Sequence, residues 1–165
     1  MTLIVEDGTG LTNADSYASL EAANARADAL GNAAWPDLDE EVQEQRLRKA
    51  TIYITQAYRT RWGGTRLLRT QALDWPRYGV EADGWCVEST IVPTEVVNAC
   101  IDLAFDANID TLNPNQTRAL IRKKVGPIEK EWSPNASQAT KYRAIDMTLA
   151  PYLMGSGVNV RLVRA

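Results

Sequence analysis

Apolar residues recur at helical spacing in four places along the chain. Tyr17, Leu20, Ala23, Ala27 and Leu30 form the first stripe, behind the N-cap candidates Asn13, Asp15, Ser16 and Ser19 and ahead of Gly31. Leu47, Ala50, Ile54, Ala57 and Tyr58 form the second, which Asp37 or Asp39 opens and Trp62-Gly63-Gly64 closes. The third runs from Thr94 to about Ile109, with Pro93 at or just before its first turn. Val96, Val97, Cys100, Ile101, Leu103, Ala104, Phe105 and Ala107 make it apolar on most sides, so it is expected to be the central core helix. Tyr142, Ile145, Leu149, Tyr152 and Leu153 form the fourth, broken near its end by Pro151.

Other stretches follow a period of two. Leu3-Ile-Val5 is a short β-type run closed by Asp7-Gly8 and Gly10. Asp83-Gly84 signals a small hairpin between Val80 and Trp85–Val87. In KKVGPIEKEW, residues 123–132, polar and apolar positions alternate around Gly126-Pro127, which fits a hairpin or one kinked extended arm. The last residues, VNVRLVRA, alternate behind a Gly155-Ser-Gly157 hinge. A β-type tail on a hinge is what strand addition to a sheet edge requires. Pairing within its own subunit is the alternative, and both readings stand. The expected fold is therefore mainly α: about four helices, a short hairpin or arm, and a C-terminal β-type tail. Residues 1–157 form the helical domain and 158–165 a docking tail.

Charge is placed unevenly. The net charge is −3, yet residues 1–45 carry ten acids against Arg26 alone, so the remainder is +6. Such asymmetry marks nucleic-acid contact, charge-matched assembly or a solvated surface. Within the second helix, Glu40, Glu41 and Glu44 come first and Arg46, Arg48, Lys49 and Arg59 later, which also suits the helix dipole.

The absence of histidine removes Ser-His-Asp and Cys-His systems and His-ligated zinc. Carboxylate-only metal chemistry survives in principle, but Asp37, Asp39, Glu40 and Glu41 lack the spaced Asp/Asn–Gly loop of a calcium site and read as a helix N-terminus. There is no GxxxxGK[ST] and no GxGxxG. No catalytic, cofactor or metal site is expected, and the chain is read as non-enzymatic. Cys86 and Cys100 form no CxxC pair, and Cys100 is expected to be buried. No apolar run spans a bilayer and the N-terminus has no signal-peptide pattern, so a cytoplasmic origin and no membrane partner are expected.

The strongest chemical signal is an interleaving of bases and aromatics. Arg59, Arg61, Arg66, Arg69 and Arg77 alternate with Tyr58, Trp62, Trp75, Tyr78 and Trp85. Arginine contacts phosphate and aromatic faces stack on unpaired bases, although large aromatics also anchor cores and interfaces. Arg118, Arg122, Lys123 and Lys124 add a second basic patch. Trp75-Pro76 is expected to plug the domain and leave Arg77 and Tyr78 free for a neighbour.

The order of these pieces is familiar. LIVEDGTGLTNADSYASLEAANA, QALDWPRYGV with ADG, IVPTEVVNACIDLA, KKVGPIEKEW and SGVNVRLVRA together cover most of the chain. In that order the chain resembles the head–tail connector (adaptor, head-completion) proteins of tailed bacteriophages, a group that often carries the label DnaT-like single-stranded DNA-binding protein. The alanine-rich first helix departs from the pattern near Arg26, where another aromatic would be expected; this bears on packing.

The resemblance implies a mostly helical, non-enzymatic subunit of a ring, commonly of twelve, in the virion neck. It implies a portal protein on one face, a stopper or tail-completion protein on the other, and non-specific contact with double-stranded DNA in the channel. In that role Val158, Val160, Arg161, Leu162, Val163 and Arg164 would dock on the portal or a neighbour. Arg66, Arg69, Arg77, Tyr78, Arg122, Lys123 and Lys124 would face the assembly or the DNA. The alternative is a single-stranded DNA-binding module in phage replication.

Overall fold

A computed structural model describes residues 2–106, 109, 112, 122–125, 128–131 and 142–154, with the backbone alone for 122–125 and 128–131. The fold is mainly α, with four helices and short antiparallel strand pairs among the described residues.

α1 (Leu20–Leu30) starts where Ser19 accepts the amide of Ala22, one of the donors that a helix start leaves unpaired. It ends at Gly31, whose φ of 66° closes the last turn in the left-handed region. α2 (Glu40–Tyr58) buries Gln43, Leu47, Ala50, Thr51, Ile54 and Tyr58, the expected stripe except that Ala57 is only half-buried. Asp39 stands at its N-cap without a side-chain capping bond. Trp35 secures the turn between the two helices. Its indole N–H donates to Asn24 at 2.8 Å, its carbonyl accepts from Gln43 at 2.8 Å, and its ring meets Phe105 edge-on at 4.9 Å.

α3 (Thr94–Phe105) packs between α2 and α4 (Arg143–Leu149) and buries Val96, Ala99, Cys100, Ile101, Leu103 and Ala104. This is the expected core helix, with Pro93 at its N-cap. It stops at Phe105 rather than near Ile109, because Asp106 is extended, although Ile109 and Leu112 remain buried. α4 runs into a 3-10 turn, Ala150–Tyr152, which contains Pro151.

The strands are short. β1 (Thr65–Arg66) pairs with β2 (Arg77–Tyr78), and β3 (Glu81–Ala82) with β4 (Trp85–Cys86). Between β3 and β4, Asp83 and Gly84 have φ of 55° and 85°, the positive values a two-residue primed turn needs. β5 (Arg122–Val125) pairs with β6 (Ile128–Glu131) antiparallel in the register Val125↔Ile128 to Arg122↔Glu131, the pairing of the hairpin reading and not of a single kinked arm. The Leu3–Val5 run contributes an isolated bridge, Val5 to Ser16. The hinge and the tail from 155 to 165 lie outside the described residues.

Glu6 explains the glycines that follow it. Its buried carboxylate accepts the amides of Gly8 at 3.0 Å, Gly10 at 2.8 Å and Leu11 at 2.9 Å. Gly8 has φ 97°, and a Cβ there would lie 2.0 Å from the carbonyl oxygen of Thr90. The N-terminal loop is thereby closed around one carboxylate and pressed against the chain just before α3. Glu6→Ala leaves three amides without their acceptor and is expected to cost ~2 kcal/mol or more. A urea midpoint unchanged from the parent would refute that account of the loop.

Candidate interaction surface

Residues 58–78 hold a buried cluster of aromatic and polar side chains; the β1–β2 pair lies within them and the β3–β4 hairpin follows. Trp75 is fully buried and stands edge-on to Trp62 at 5.6 Å and to Tyr152 at 5.7 Å, while Tyr58 lies 5.8 Å from Trp62. Such pairs contribute about 0.5–1.5 kcal/mol each beyond the area they bury. The Trp75–Pro76 peptide bond is cis. Backbone bonds join this cluster to the end of α4: Gly63 N–H to Tyr152 O at 2.9 Å and Met154 N–H to Arg61 O at 2.6 Å. Trp75 therefore plugs the domain, as expected.

Arg77 does not follow its expectation. It is 7% exposed, and its guanidinium donates to the carbonyls of Gly63 at 2.7 Å, Gly64 at 2.9 Å and Asp74 at 3.1 Å. It clamps the chain before β1 to the chain before β2 and is not free for a neighbour or for DNA. The reason is local: β1–β2 pairing brings two adjacent glycine carbonyls within reach of one planar fork of donors. A Cβ on Gly64 would lie 2.2 Å from the carbonyl oxygen of Tyr78, so the close approach needs glycine. Burial lowers the pKa of Arg77, opposed by the charge of Asp74.

Asp74 is buried beside it. Its amide donates to the Tyr17 hydroxyl at 3.0 Å, and Oδ1 lies 3.7 Å from Arg59. Burial raises its pKa, against the lowering influence of Arg59, Arg66 and Arg77. Burial also raises the pKa of Tyr17, with Asp74 adding to the effect. Gln71 completes the support: it accepts from Leu68 N–H at 2.8 Å and donates to Leu73 O at 2.9 Å and Pro76 O at 3.0 Å.

The other expected residues separate. Arg66 is half-buried and donates to the Gln71 carbonyl. Arg69 is exposed, and Tyr78 is 68% exposed on β2. Arg122, Lys123 and Lys124 occupy successive positions of β5, opposite Glu131, Lys130 and Glu129; their side chains are outside the described residues. Val158, Val160, Arg161, Leu162, Val163 and Arg164 lie outside them altogether. Trp85 is the residue that the candidate set missed: it is 80% exposed on β4. The Asp83-Gly84 turn signal was enough to place it on a hairpin, two residues from the turn's start.

Part of the charge asymmetry is neutralised inside the chain. Arg48 pairs with Asp15 at 2.7 Å and Glu44 at 3.3 Å; Arg26 pairs with Asp102 at 2.7 Å, which does not reduce the asymmetry. Cys86 is exposed, and Cys100 is buried beside Thr51, where burial pushes its thiol up to about 11. Among the described residues no group of three or more His, Cys, Asp or Glu could hold a metal ion, and no helix is long and apolar enough to cross a membrane.

A family described as "Putative DnaT-like ssDNA binding protein" matches residues 1–165, the whole chain. The chain belongs to that family. No curated protein and no solved structure matches it. Family membership covers every element described above, so the clamp and both hairpins lie within the matched region.

Two outcomes are expected here. Arg77→Lys cannot bridge three carbonyls and should cost about 3 kcal/mol or more, while Tyr78→Ala should stay within ~0.5 kcal/mol. Comparable urea midpoints for the two variants would contradict the clamp. Asp74 binds its proton more tightly in the fold than in the unfolded chain, so its contribution to stability falls as pH rises through its raised pKa. The stability of Asp74→Asn relative to the parent should therefore increase from pH 4 to pH 7, and a decrease in paired denaturation curves would overturn the sign.

Proposed function

We propose that this protein is a structural head–tail adaptor subunit, forming a ring between the phage portal and the stopper or tail-completion proteins, with the genome passing through its centre. The observation that carries the reading is where the basic and aromatic residues lie. Trp62, Trp75 and Arg77 are buried in mutual contacts rather than displayed along a groove that a strand could follow. Tyr58, Trp62, Trp75 and Arg77 of the base–aromatic interleaving form the interior of a platform, and Arg59, Arg61, Arg69, Tyr78 and Trp85 stand on its surface without a groove between them that the buried set lines. The resemblance in motif order supports the same role. The tail residues Val158–Ala165 are proposed as the portal-docking element, and Arg69, Arg122, Lys123 and Lys124 as candidates for contact with duplex phosphates.

The test is the virion. Mass spectrometry of purified particles should find the protein in neck-containing particles in the copy number of a ring. Deleting residues 158–165 should yield heads without tails while the isolated subunit still folds. Absence from particles, or tailed particles after the deletion, would reject the role.

A second reading has a specific observation behind it. The family description names single-stranded DNA, and Trp85 and Tyr78 are exposed aromatics in a chain that also exposes Arg59, Arg61 and Arg69. Binding of an oligonucleotide would quench tryptophan fluorescence and weaken steeply with salt, and Trp85→Ala would remove the quench. No quench at low salt would end that reading.

A further inference from the structure

Four bases and two acids stand on the eight paired positions of β5 and β6, and the register sorts them. Arg122 is opposite Glu131 and Lys124 is opposite Glu129, whereas Lys123 is opposite Lys130 and Val125 opposite Ile128. Faces alternate along a strand, so directly opposed residues share a face and the next pair takes the other. One face of the ladder therefore holds Arg122, Lys124, Glu129 and Glu131, whose charges cancel. The other, at the described positions, holds Lys123, Lys130, Val125 and Ile128, with two positive charges and no carboxylate.

Opposite charges across a ladder are favourable, and like charges directly opposite are unfavourable. The first face thus meets its own charge. The second sets two bases at opposed positions, which an antiparallel pair spaces about 4.5–5.5 Å apart at Cβ. An anion shared by the two relieves their repulsion. Lysine is a point charge on a flexible stem, without the planar fork that suits arginine to a single carboxylate. Two such charges side by side match a run of phosphates, which a duplex supplies at one charge per ~1.7 Å of its axis.

We propose that Lys123 and Lys130, opposed across the β5–β6 ladder, form a contact for the phosphodiester backbone of DNA. The proposal deepens the adaptor reading and rests on it for the nearness of the genome. Of the hairpin bases among the phosphate candidates it keeps Lys123, leaves Arg122 and Lys124 to their cross-strand glutamates, and adds Lys130. The contact reads no sequence, because the valine and isoleucine that share its face offer no hydrogen bond to a base edge.

The test titrates the full chain against a fluorescein-labelled duplex of arbitrary sequence, and separately against one of its strands, at several potassium chloride concentrations. Lys123→Gln and Lys130→Gln should each reduce the slope of log affinity on log salt by about 0.9 with the duplex. Arg122→Gln and Lys124→Gln should leave that slope unchanged. All four remove one positive charge, so a general field effect would treat them alike. Lys130→Glu, which sets an acid opposite Lys123, should weaken binding without lowering the urea midpoint.

A reduction with the duplex supports the genome as the source of phosphate. A reduction with the single strand alone supports the same contact under the second reading. A parent that binds neither DNA at low salt overturns the contact, as does an equal loss in all four variants or a loss confined to Arg122 and Lys124. A midpoint that falls together with binding in Lys130→Glu would make the pair structural and overturn it likewise. The adaptor role is judged separately by particle composition, so a neck protein whose DNA affinity ignores these two lysines would sink this contact alone.

Discussion

The guanidinium of Arg77 is the constraint on which the middle of this protein depends. Three carbonyl groups, on Gly63, Gly64 and Asp74, converge on one side chain at hydrogen-bond distance. Buried carbonyls need donors, and a planar fork supplies three in one direction. Once they are joined, the chain leaving α2 runs antiparallel to the chain after Pro76, and Tyr78 is turned outward. Trp75 then has nowhere to go but into the core, where it meets Trp62 and Tyr152. The loop is thus held from outside by polar bonds and from inside by aromatic packing.

The same loop ties the N-terminal motif to the helices. The Tyr17 hydroxyl accepts the Asp74 amide, Ala72 donates to the Leu11 carbonyl at 2.8 Å, and Gly8 lies against Thr90. Segments that stand far apart in the chain, LIVEDGTGL, QALDWPRYG and STIVP, are therefore neighbours in space. A change in one is felt by the others through direct contact. One packed junction joins all three.

Trp75, Asp74 and Arg77 make this junction a packed interior in which backbone carbonyls have their donors. Buried charge at Asp74 is costly, and nearby arginines offset part of that cost. What the junction offers outward is small and specific: a tyrosine on one hairpin and a tryptophan on the next. These are the side chains that supply large contact area with little conformational entropy to lose, which fits docking between preformed surfaces.

Much of this was determined by the sequence alone. The spacing of apolar residues located the four helices of the described residues, Gly31 marked the end of the first while its start lay open between Asp15 and Ser19, and Asp83-Gly84 marked a hairpin, because caps, turns and stripes are local physics. Cys100 and Trp75 were legible as interior for the same reason: large or soft apolar groups beside strongly patterned helices have few other places to go. The fate of Arg77 was not legible. An arginine between two aromatics reads as a surface contact until its partners are known, and its partners are carbonyls 13 and 14 residues earlier in the chain, brought near only by β1–β2 pairing. Glu6 was hidden likewise, its role visible only once the glycine loop had wrapped around it. The Asp83-Gly84 turn placed Trp85 on a hairpin, but did not say whether anything folds over it. Tertiary structure alone decided which tryptophan faces solvent, because burial depends on what folds over a residue and not on the residue itself.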